Sequence, residues 1–157
     1  MKPSNLHIVL IEPEIPPNTG NIARLCAATG TTLHLVGKLG FSIDDKHLRR
    51  AGLDYWDAVT LKRWDSFSEL RQNNPNGRFW LTSKKARKSH LQADFQAGDY
   101  LVFGKETKGL PEAWLEMEEE WSLRIPILED KVRSLNLSTA AGIVLYEALR
   151  QTDQVDS

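Results

Sequence analysis

The chain contains a single cysteine, no long hydrophobic run and almost no net charge. Cys26 alone cannot form an internal disulfide, which is typical of proteins in a reducing cytosol. No apolar stretch approaches the roughly 20 residues of a membrane-spanning helix. The first residues lead into Glu12 and Pro13, where a signal peptide would place small residues before its cleavage site. We therefore expect a cytoplasmic protein with no membrane partner.

The net charge of −1 argues against a nonspecific nucleic-acid binder, but the charges are clustered along the chain. KHLRR (residues 46–50) and KKARK (84–88) are basic, and EMEEE (116–120) is acidic. Such clusters are usually solvated surfaces, although two basic ones also permit a polyanion site on one face. The candidate contacts for a polyanion are Lys46, Arg49, Arg50, Lys84, Lys85, Arg87 and Lys88.

Strand-like and helix-like segments alternate about six times, which is typical of an α/β protein with an open parallel sheet and helices on both faces. Strands are predicted at residues 6–12, 32–37, 58–63, 78–83, 98–104 and 123–127. Helices are predicted from a cap at Asn18 to Thr29, over 44–51, after a capping box at Ser66 and Glu69, and over 110–117 and 137–151. No linker or repeat divides the sequence, so we expect one domain spanning residues 1–157.

In an open parallel sheet, ligands bind beyond the carboxyl ends of the strands, and three segments are predicted to lie there. The first is PPNTGNIAR (residues 16–24). Pro17 stiffens its backbone, Gly20 leaves room for a ligand, and the start of a helix favours an anion. Arg24 follows one turn into the helix, where it could reach a phosphate. The alternative is a capped helix with an ordinary surface arginine.

The second and third segments are VFGKETKGLP (102–111) and IPILEDKVRSLNLSTAAG (125–142). Gly104, at the predicted end of a strand, lets a flat ligand lie on the backbone. Three polar side chains before the last helix exceed what one helix cap requires: Ser134, Asn136 and Ser138. Neither segment is a dinucleotide fingerprint or a Walker loop. An ordinary strand-to-helix turn and an ordinary cap are the alternatives.

The sequence offers no recognisable metal site and no recognisable acyl-transfer nucleophile. Its four histidines have no metal-binding spacing, and one cysteine cannot supply a thiolate zinc site. No G-x-S-x-G elbow is present. We therefore expect a protein that needs no metal cofactor.

Taken in order, the three segments resemble the three motifs of the SpoU branch of the SPOUT methyltransferases. The resemblance covers about residues 5–150. The intervening DDKHLRRAGLDYW (44–56) is similar to the small single-domain members that methylate the ribose 2′-oxygen of the wobble nucleotide of tRNA, cytidine or modified uridine 34. The resemblance therefore implies an S-adenosylmethionine-dependent methyltransferase acting on tRNA. A ribose methyltransferase for ribosomal RNA and a catalytically silent tRNA-binding protein are the alternatives.

The resemblance also implies a C-terminal trefoil knot and a homodimer in which each site takes residues from the partner. It implies tRNA, through its anticodon stem-loop, as the partner and S-adenosylmethionine as the methyl donor. Motif matching assigns seven residues to the donor pocket or its surroundings: Leu81, Gly104, Ile125, Ser134, Glu106, Leu135 and Asn136. Asn18 and the two basic clusters become candidate tRNA contacts.

Arg24 matches the arginine that the family places at the reacting ribose. A guanidinium stays protonated in proteins, which makes it an unusual general base. Two roles therefore stay open. Arg24 is either a base assisted by a nearby phosphate or a cation that orients and polarises the hydroxyl oxygen.

Overall fold

The computed structural model describes residues 4–43, 46 and 56–152, and within these residues the strands form a seven-stranded sheet in which all neighbours are parallel. The strands are β1 His7–Ile11, β2 Thr32–Val36, β3 Leu61–Trp64, β4 Phe79–Thr82, β5 Lys88–Ser89, β6 Tyr100–Phe103 and β7 Ser122–Arg124. Their order across the sheet is β3-β2-β1-β6-β4-β7-β5. The predicted parallel sheet is confirmed, with β5 as an additional short strand at one edge.

The α-helices of the described residues are α1 Pro16–Thr29, α2 Phe67–Asn73, α3 Glu112–Met117 and α4 Leu137–Gln151. Ser66 caps α2 as predicted, because its hydroxyl accepts a hydrogen bond from the N–H of Glu69 at 3.1 Å. The helix predicted over 44–51 lies outside the described residues, apart from Lys46. β7 ends at Arg124, so residues 125–127 belong to the following loop. Pro126 explains the early end, because proline has no N–H for the sheet.

Helix α1 begins three residues before the position that its sequence predicts. Asn18 is predicted as the N-cap, but Ile15 occupies that position and makes no side-chain capping bond. Pro16 and Pro17 form the first turn, where the fixed φ of proline suits a helix and the missing N–H would have no helical partner. The prediction of an Asn18 cap is therefore wrong, and the Asn18 side chain serves another purpose.

Alternating strand residues supply two hydrophobic cores, one on each face of the sheet. In β1, Ile8 and Leu10 pack into the core that α1 and α4 cover. Val9 and Ile11 pack into the core that α2 covers. Because neighbouring side chains of a strand point to opposite faces, helices lie on both sides of the sheet. Cys26 is buried in the first core, where burial raises the pKa of its thiol.

The strand order brings the three candidate segments to one edge of the sheet. β1, β6, β4 and β7 are consecutive neighbours, and because they are parallel their carboxyl ends lie at the same edge. The first candidate segment follows β1, the second follows β6 and the third follows β7. The loop after β4 lies between the second and the third.

A chain of hydrogen bonds between aromatic rings joins β1, β2 and β3 on the α2 side of the sheet. Trp64 Nε1 donates to His34 Nδ1 at 2.9 Å, so the ring hydrogen of His34 is on Nε2. That hydrogen faces His7 Nδ1 at 2.9 Å. Burial is the main reason why the pKa of His7 is lowered to about 4 and that of His34 to about 3. The cation of Lys62 lowers both further.

This histidine pair predicts that the protein loses stability as the pH falls from about 6.5 to about 4. In that range the unfolded chain binds protons at both histidines and the folded chain does not, so protonation favours unfolding. His34→Gln keeps an acceptor for Trp64 and removes one titrating group. In urea unfolding, the free energy of unfolding should fall more steeply from about pH 8 to about pH 4.5 for the wild type than for His34→Gln. Equal slopes would contradict the role of the pair.

Candidate functional site

A cavity of about 450 Å³ opens at the carboxyl edge of the sheet. Its volume lies within the roughly 300–1,000 Å³ of ligand pockets. The wall is formed by the start of α1, the residues after β4, the loop after β6 and the segment between β7 and α4. All three candidate segments therefore meet at this cavity.

The wall combines an apolar part with several polar and cationic groups. Leu115, Ile125 and Ile127, which are half-buried, contribute apolar side chains. Hydroxyl, amide and ammonium groups come from Ser83, Ser134, Asn136, Lys84, Lys85, Lys105 and Lys108. A wall with both apolar and polar groups suits a small ligand that has a flat apolar part and polar ends.

The loop after β6 is closed on itself, and this closure explains Gly104. The N–H of Gly109 donates to the carbonyl of Lys105 at 2.8 Å, and Gly109 has a φ of 69°. A Cβ on Gly104 would lie 2.1 Å from the carbonyl carbon of Gly109. Gly104 is therefore needed for the approach of the loop backbone, although the sequence suggests the approach of a ligand. Substitution of Gly104 would disturb the loop itself.

Glu106 fixes the start of α1. Its carboxylate accepts hydrogen bonds from the N–H of Glu14 at 2.8 Å and the N–H of Ile15 at 2.9 Å. Three of the residues 13–17 are prolines without an N–H group, so Glu14 and Ile15 carry the available donors of this turn. One negative charge at the helix start thus satisfies both donors and complements the helix dipole.

Asn18 connects the three segments through side-chain hydrogen bonds. Asn136 Oδ1 caps α4 by accepting from the N–H of Ser138 at 2.9 Å and of Thr139 at 3.4 Å. Asn136 Nδ2 consequently faces Asn18 and donates to its Oδ1 at 3.1 Å. Asn18 Nδ2 then donates to Glu106 Oε2 at 3.2 Å. The side-chain amide orientation of Asn136 is fixed by the backbone N–H groups that it caps, and the orientation of Asn18 is fixed in turn by the nitrogen of Asn136.

Most residues predicted for the donor pocket lie in the cavity wall, namely Gly104, Glu106, Ile125, Ser134, Leu135 and Asn136. Leu81 does not, because its side chain is fully buried in the core on the α2 side. The next residue, Thr82, lines the cavity in its place. Arg24 is exposed on α1 and lies outside the described wall.

Three cations of the basic cluster at residues 84–88 contact α3 or the acidic residues 116–120. Lys85 forms an ion pair with Glu112. Arg87 Nε lies 3.2 Å from Glu119 Oε1. Lys88 Nζ donates to the carbonyl of Glu120 at 2.9 Å. These contacts make the three cations less available to a polyanion than the sequence suggests.

The remaining predicted tRNA contacts differ in their surroundings. Asn18 is buried and lines the cavity. Lys84 also lines it, is exposed, and has no ion pair within the described residues. Lys46 is exposed, whereas Arg49 and Arg50 lie outside the described residues.

Sequence reasoning missed Thr82, Ser83 and Lys108 in the wall, and it missed Glu14 beside it. Thr82 and Ser83 follow Leu81, and Lys108 lies two positions after Glu106 inside the second segment, so including the residues within two positions of the motif-matched ones would have found all three. Glu14 contacts Thr107, which lies 93 positions away, and no local spacing indicates such a contact.

Among the described residues, no group of three or more His, Cys, Asp or Glu side chains could hold a metal ion. In the same part of the chain, no helix has the length and apolar character needed to cross a membrane.

The sequence matches the model of the SpoU rRNA Methylase family over residues 5–146. The chain belongs to this methyltransferase family, which confirms the resemblance carried by the three motifs.

Named relatives match this chain over most of their own length. The tRNA (cytidine(34)-2'-O)-methyltransferase of Saccharophagus degradans is 54% identical over 149 residues, which is 92% of this chain and 94% of the relative. The enzyme of that name from Escherichia coli strain K12 is 51% identical over 148 residues, or 93% of each chain.

Solved structures share the fold. One described as "Structural insights into the 2-OH methylation of C/U34 on tRNA" has a TM-score of 0.88 and 46% identity, and covers 93% of this chain and 95% of its own. The AdoMet-bound rRNA methyltransferase of Sinorhizobium meliloti has a TM-score of 0.84 and 26% identity, and covers 99% of this chain and 59% of its own.

The hydrogen bonds of Asn18 predict different effects for two substitutions. Asn18→Ala removes both bonds and should cost about 1–3 kcal/mol of stability. Asn18→Asp should cost more near pH 7, because it places a second carboxylate beside Glu106. The Asn18→Asp deficit should shrink near about pH 5, where the introduced carboxyl regains a proton and can donate to Glu106. Urea unfolding of each variant against the wild type at the same pH measures these differences.

Asn76→Asp is the matched control for this comparison, because Asn76 is exposed in a turn. It should leave the free energy of unfolding unchanged within about 0.5 kcal/mol. If Asn18→Asp were as stable as Asn76→Asp at neutral pH, Asn18 would not connect the segments in the way described.

Proposed function

We propose that this protein transfers a methyl group from S-adenosylmethionine to the ribose 2′-oxygen of the wobble nucleotide, position 34, of tRNA. The observation that carries the proposal is the cavity at which the three motif segments meet and are joined through Asn18. Relatives at 54% and 51% identity that bear the name tRNA (cytidine(34)-2'-O)-methyltransferase support the choice of substrate.

The wall residues fit S-adenosylmethionine, which supplies an electrophilic methyl group on a sulfonium. Apolar side chains such as Ile125 and Ile127 suit an adenine ring, and the hydroxyls of Ser83 and Ser134 suit the polar groups of a nucleoside and an amino acid. Gly104 and Leu135 would complete the pocket. Glu106 and Asn136 would hold its loops in place, because their side chains already bond the start of α1 and the cap of α4.

A homodimer in which Arg24 acts at the cavity of the partner is part of the proposal. Arg24 is exposed and lies outside the described wall of its own cavity, which suits a residue acting across an interface. Ile15, before α1, and Tyr146, on α4, are 42% and 48% exposed and would be covered by the partner. Obligate interfaces are large and apolar. A monomeric mass in light scattering at micromolar concentration would contradict the dimer.

The proposal also includes one cytoplasmic methyltransferase domain over residues 1–157 with a C-terminal trefoil knot. The match of the family model to residues 5–146 supports a single domain. The strand order supports the knot, because the chain passes from β6 across β4 to reach β7. The anticodon stem-loop of tRNA would be the part of the substrate that the dimer binds.

Incubation with labelled S-adenosylmethionine and total tRNA, followed by mapping of the labelled nucleotide, tests the function. Label on the ribose 2′-oxygen of nucleotide 34 is the expected result. Absence of label in total tRNA, together with label in a parallel incubation with ribosomal RNA, would favour the alternative activity on ribosomal RNA. Binding of tRNA without any label would favour a catalytically silent protein.

Arg24→Ala should separate binding from chemistry. The fold should be retained, because replacing an exposed helical arginine by alanine costs little helix propensity. Binding of S-adenosylmethionine should stay near that of the wild type in calorimetry. Methyl transfer to tRNA should fall by about 100-fold or more, the scale for losing a general base or a charge-stabilising donor. Turnover near that of the wild type would contradict a catalytic role.

Arg24→Lys distinguishes the two roles of the guanidinium. A compact ammonium retains the positive charge but not the planar pair of donors that can bridge a hydroxyl and a phosphate. Partial recovery of methyl transfer relative to Arg24→Ala would favour the electrostatic role. Equal loss of methyl transfer in the two variants would favour the role in which the planar guanidinium must bridge the hydroxyl and a phosphate.

Lys84 and Lys108 are expected to contact tRNA phosphates, because they are exposed at the cavity and no ion pair within the described residues engages them. Each neutralised phosphate of a single strand adds about −0.7 to the slope of log affinity against log salt. Lys84→Ala combined with Lys108→Ala should flatten that slope by about 1.4. Arg87→Ala is the control, since Arg87 already faces Glu119, and it should leave the slope unchanged. A double variant with the slope of the wild type would contradict the assignment.

A further inference from the structure

A reciprocal set of hydrogen bonds joins the turn before α1 to the loop after β6. Besides the two bonds that Glu106 accepts from this turn, the Glu14 carboxylate accepts one from the N–H of Thr107 at 3.0 Å and one from its hydroxyl at 2.8 Å. The bonded residues are 91 to 93 positions apart in sequence. Each segment therefore holds the other through one carboxylate and two donors.

The loop after β6 needs these outside contacts to be fixed over the cavity. Residues 105 and 109 are bridged, so the loop is a small closed unit attached to the sheet and to α3 through its ends. The contacts of Glu106 and Thr107 with the turn before α1 join this closed unit to the segment after β1, together with the ion pair between Lys105 and Glu12 at 3.3 Å.

We propose that Glu14 is a positioning residue for the methyl-donor site, because its carboxylate fixes Thr107 and with it the cavity wall formed by residues 104–109. Thr107 lines the cavity and Glu14 does not, so Glu14 acts through the loop. The inference rests on the proposed function, since it takes the cavity as the donor site. A loop held in place before binding spares the ligand the cost of ordering it.

The ionisation of Glu14 agrees with this role. The hydrogen bonds from Thr107 hold the pKa of Glu14 below its usual value, and the charges of Lys105 and Lys108 lower it further. The carboxylate is therefore charged at neutral pH and accepts both donors of Thr107.

Three variants separate the hydrogen bonds of Glu14 from its charge. Glu14→Ala removes the bonds, and Glu14→Gln keeps an oxygen that accepts them while removing the charge. Glu116→Ala removes an exposed carboxylate of α3 and is the matched control. For each protein, the measurements are amide hydrogen exchange of residues 104–109, KM for S-adenosylmethionine, KM for tRNA, kcat and the melting temperature.

Glu14→Ala should raise the amide exchange rate of residues 104–109 roughly tenfold. It should also raise KM for S-adenosylmethionine roughly tenfold, because both changes are on the scale of one net hydrogen bond. Its KM for tRNA, kcat and melting temperature should match the wild type, because the opening is confined to one loop. Glu14→Gln should stay within about twofold of the wild type in exchange and in KM. Glu116→Ala should match the wild type throughout.

Two outcomes would overturn the proposal. Unchanged loop exchange in Glu14→Ala would show that Glu14 does not hold the loop, and equal losses in Glu14→Ala and Glu14→Gln would assign the effect to charge. If Glu14→Ala does not fold, Thr107→Val tests the proposal instead. This variant loses only the hydroxyl donor, and its amides at residues 104–109 should still exchange faster than those of the wild type. A wild type that bound no S-adenosylmethionine would refute the proposed function, whereas the exchange data would still decide the role of Glu14.

Discussion

The side-chain amide of Asn18 is the contact on which the arrangement of the candidate site depends. Its oxygen and nitrogen face different segments, since one accepts from the residue that caps α4 and the other donates to the loop after β6. Asn18 is buried, and a buried amide is stable only when its polar atoms have partners. The packing of α1 against α4 in one core brings these partners together. Core packing and site geometry are therefore set by the same helices.

The prolines at the start of α1 make this arrangement possible, because they reduce the number of backbone N–H donors in the turn. A helix start ordinarily presents several N–H groups that need partners. Pro13, Pro16 and Pro17 leave Glu14 and Ile15 as the donors of the turn, and the Glu106 carboxylate accepts from both. The stiff turn thus has a specific use, since it lets a single residue from another segment fix the helix start. The negative charge of Glu106 also lies at the helix start, where the helix dipole favours an anion.

Local patterns predicted the parts of this molecule that local chemistry decides. Apolar runs and turn residues located the strands, and the parallel order then placed the three segments at one edge. Asn18 is a good cap in isolation, but proline in the first turn decided where α1 begins. The pairing of Arg87 with Glu119 could not be predicted, because both charged clusters are visible in the sequence but their distance in space is not. The same holds for Glu14 and Thr107.

The bond between Asn136 and Asn18 spans 118 positions, which has a consequence for biosynthesis. A nascent chain emerging from the ribosome can form β1, α1 and β2 early, but Asn18 lacks its partner until almost all of the polypeptide has been translated. Contacts between such distant residues form late and slow the folding of a domain. The pocket is therefore among the last features to appear, and a chain that stops before α4 has none of it in working form.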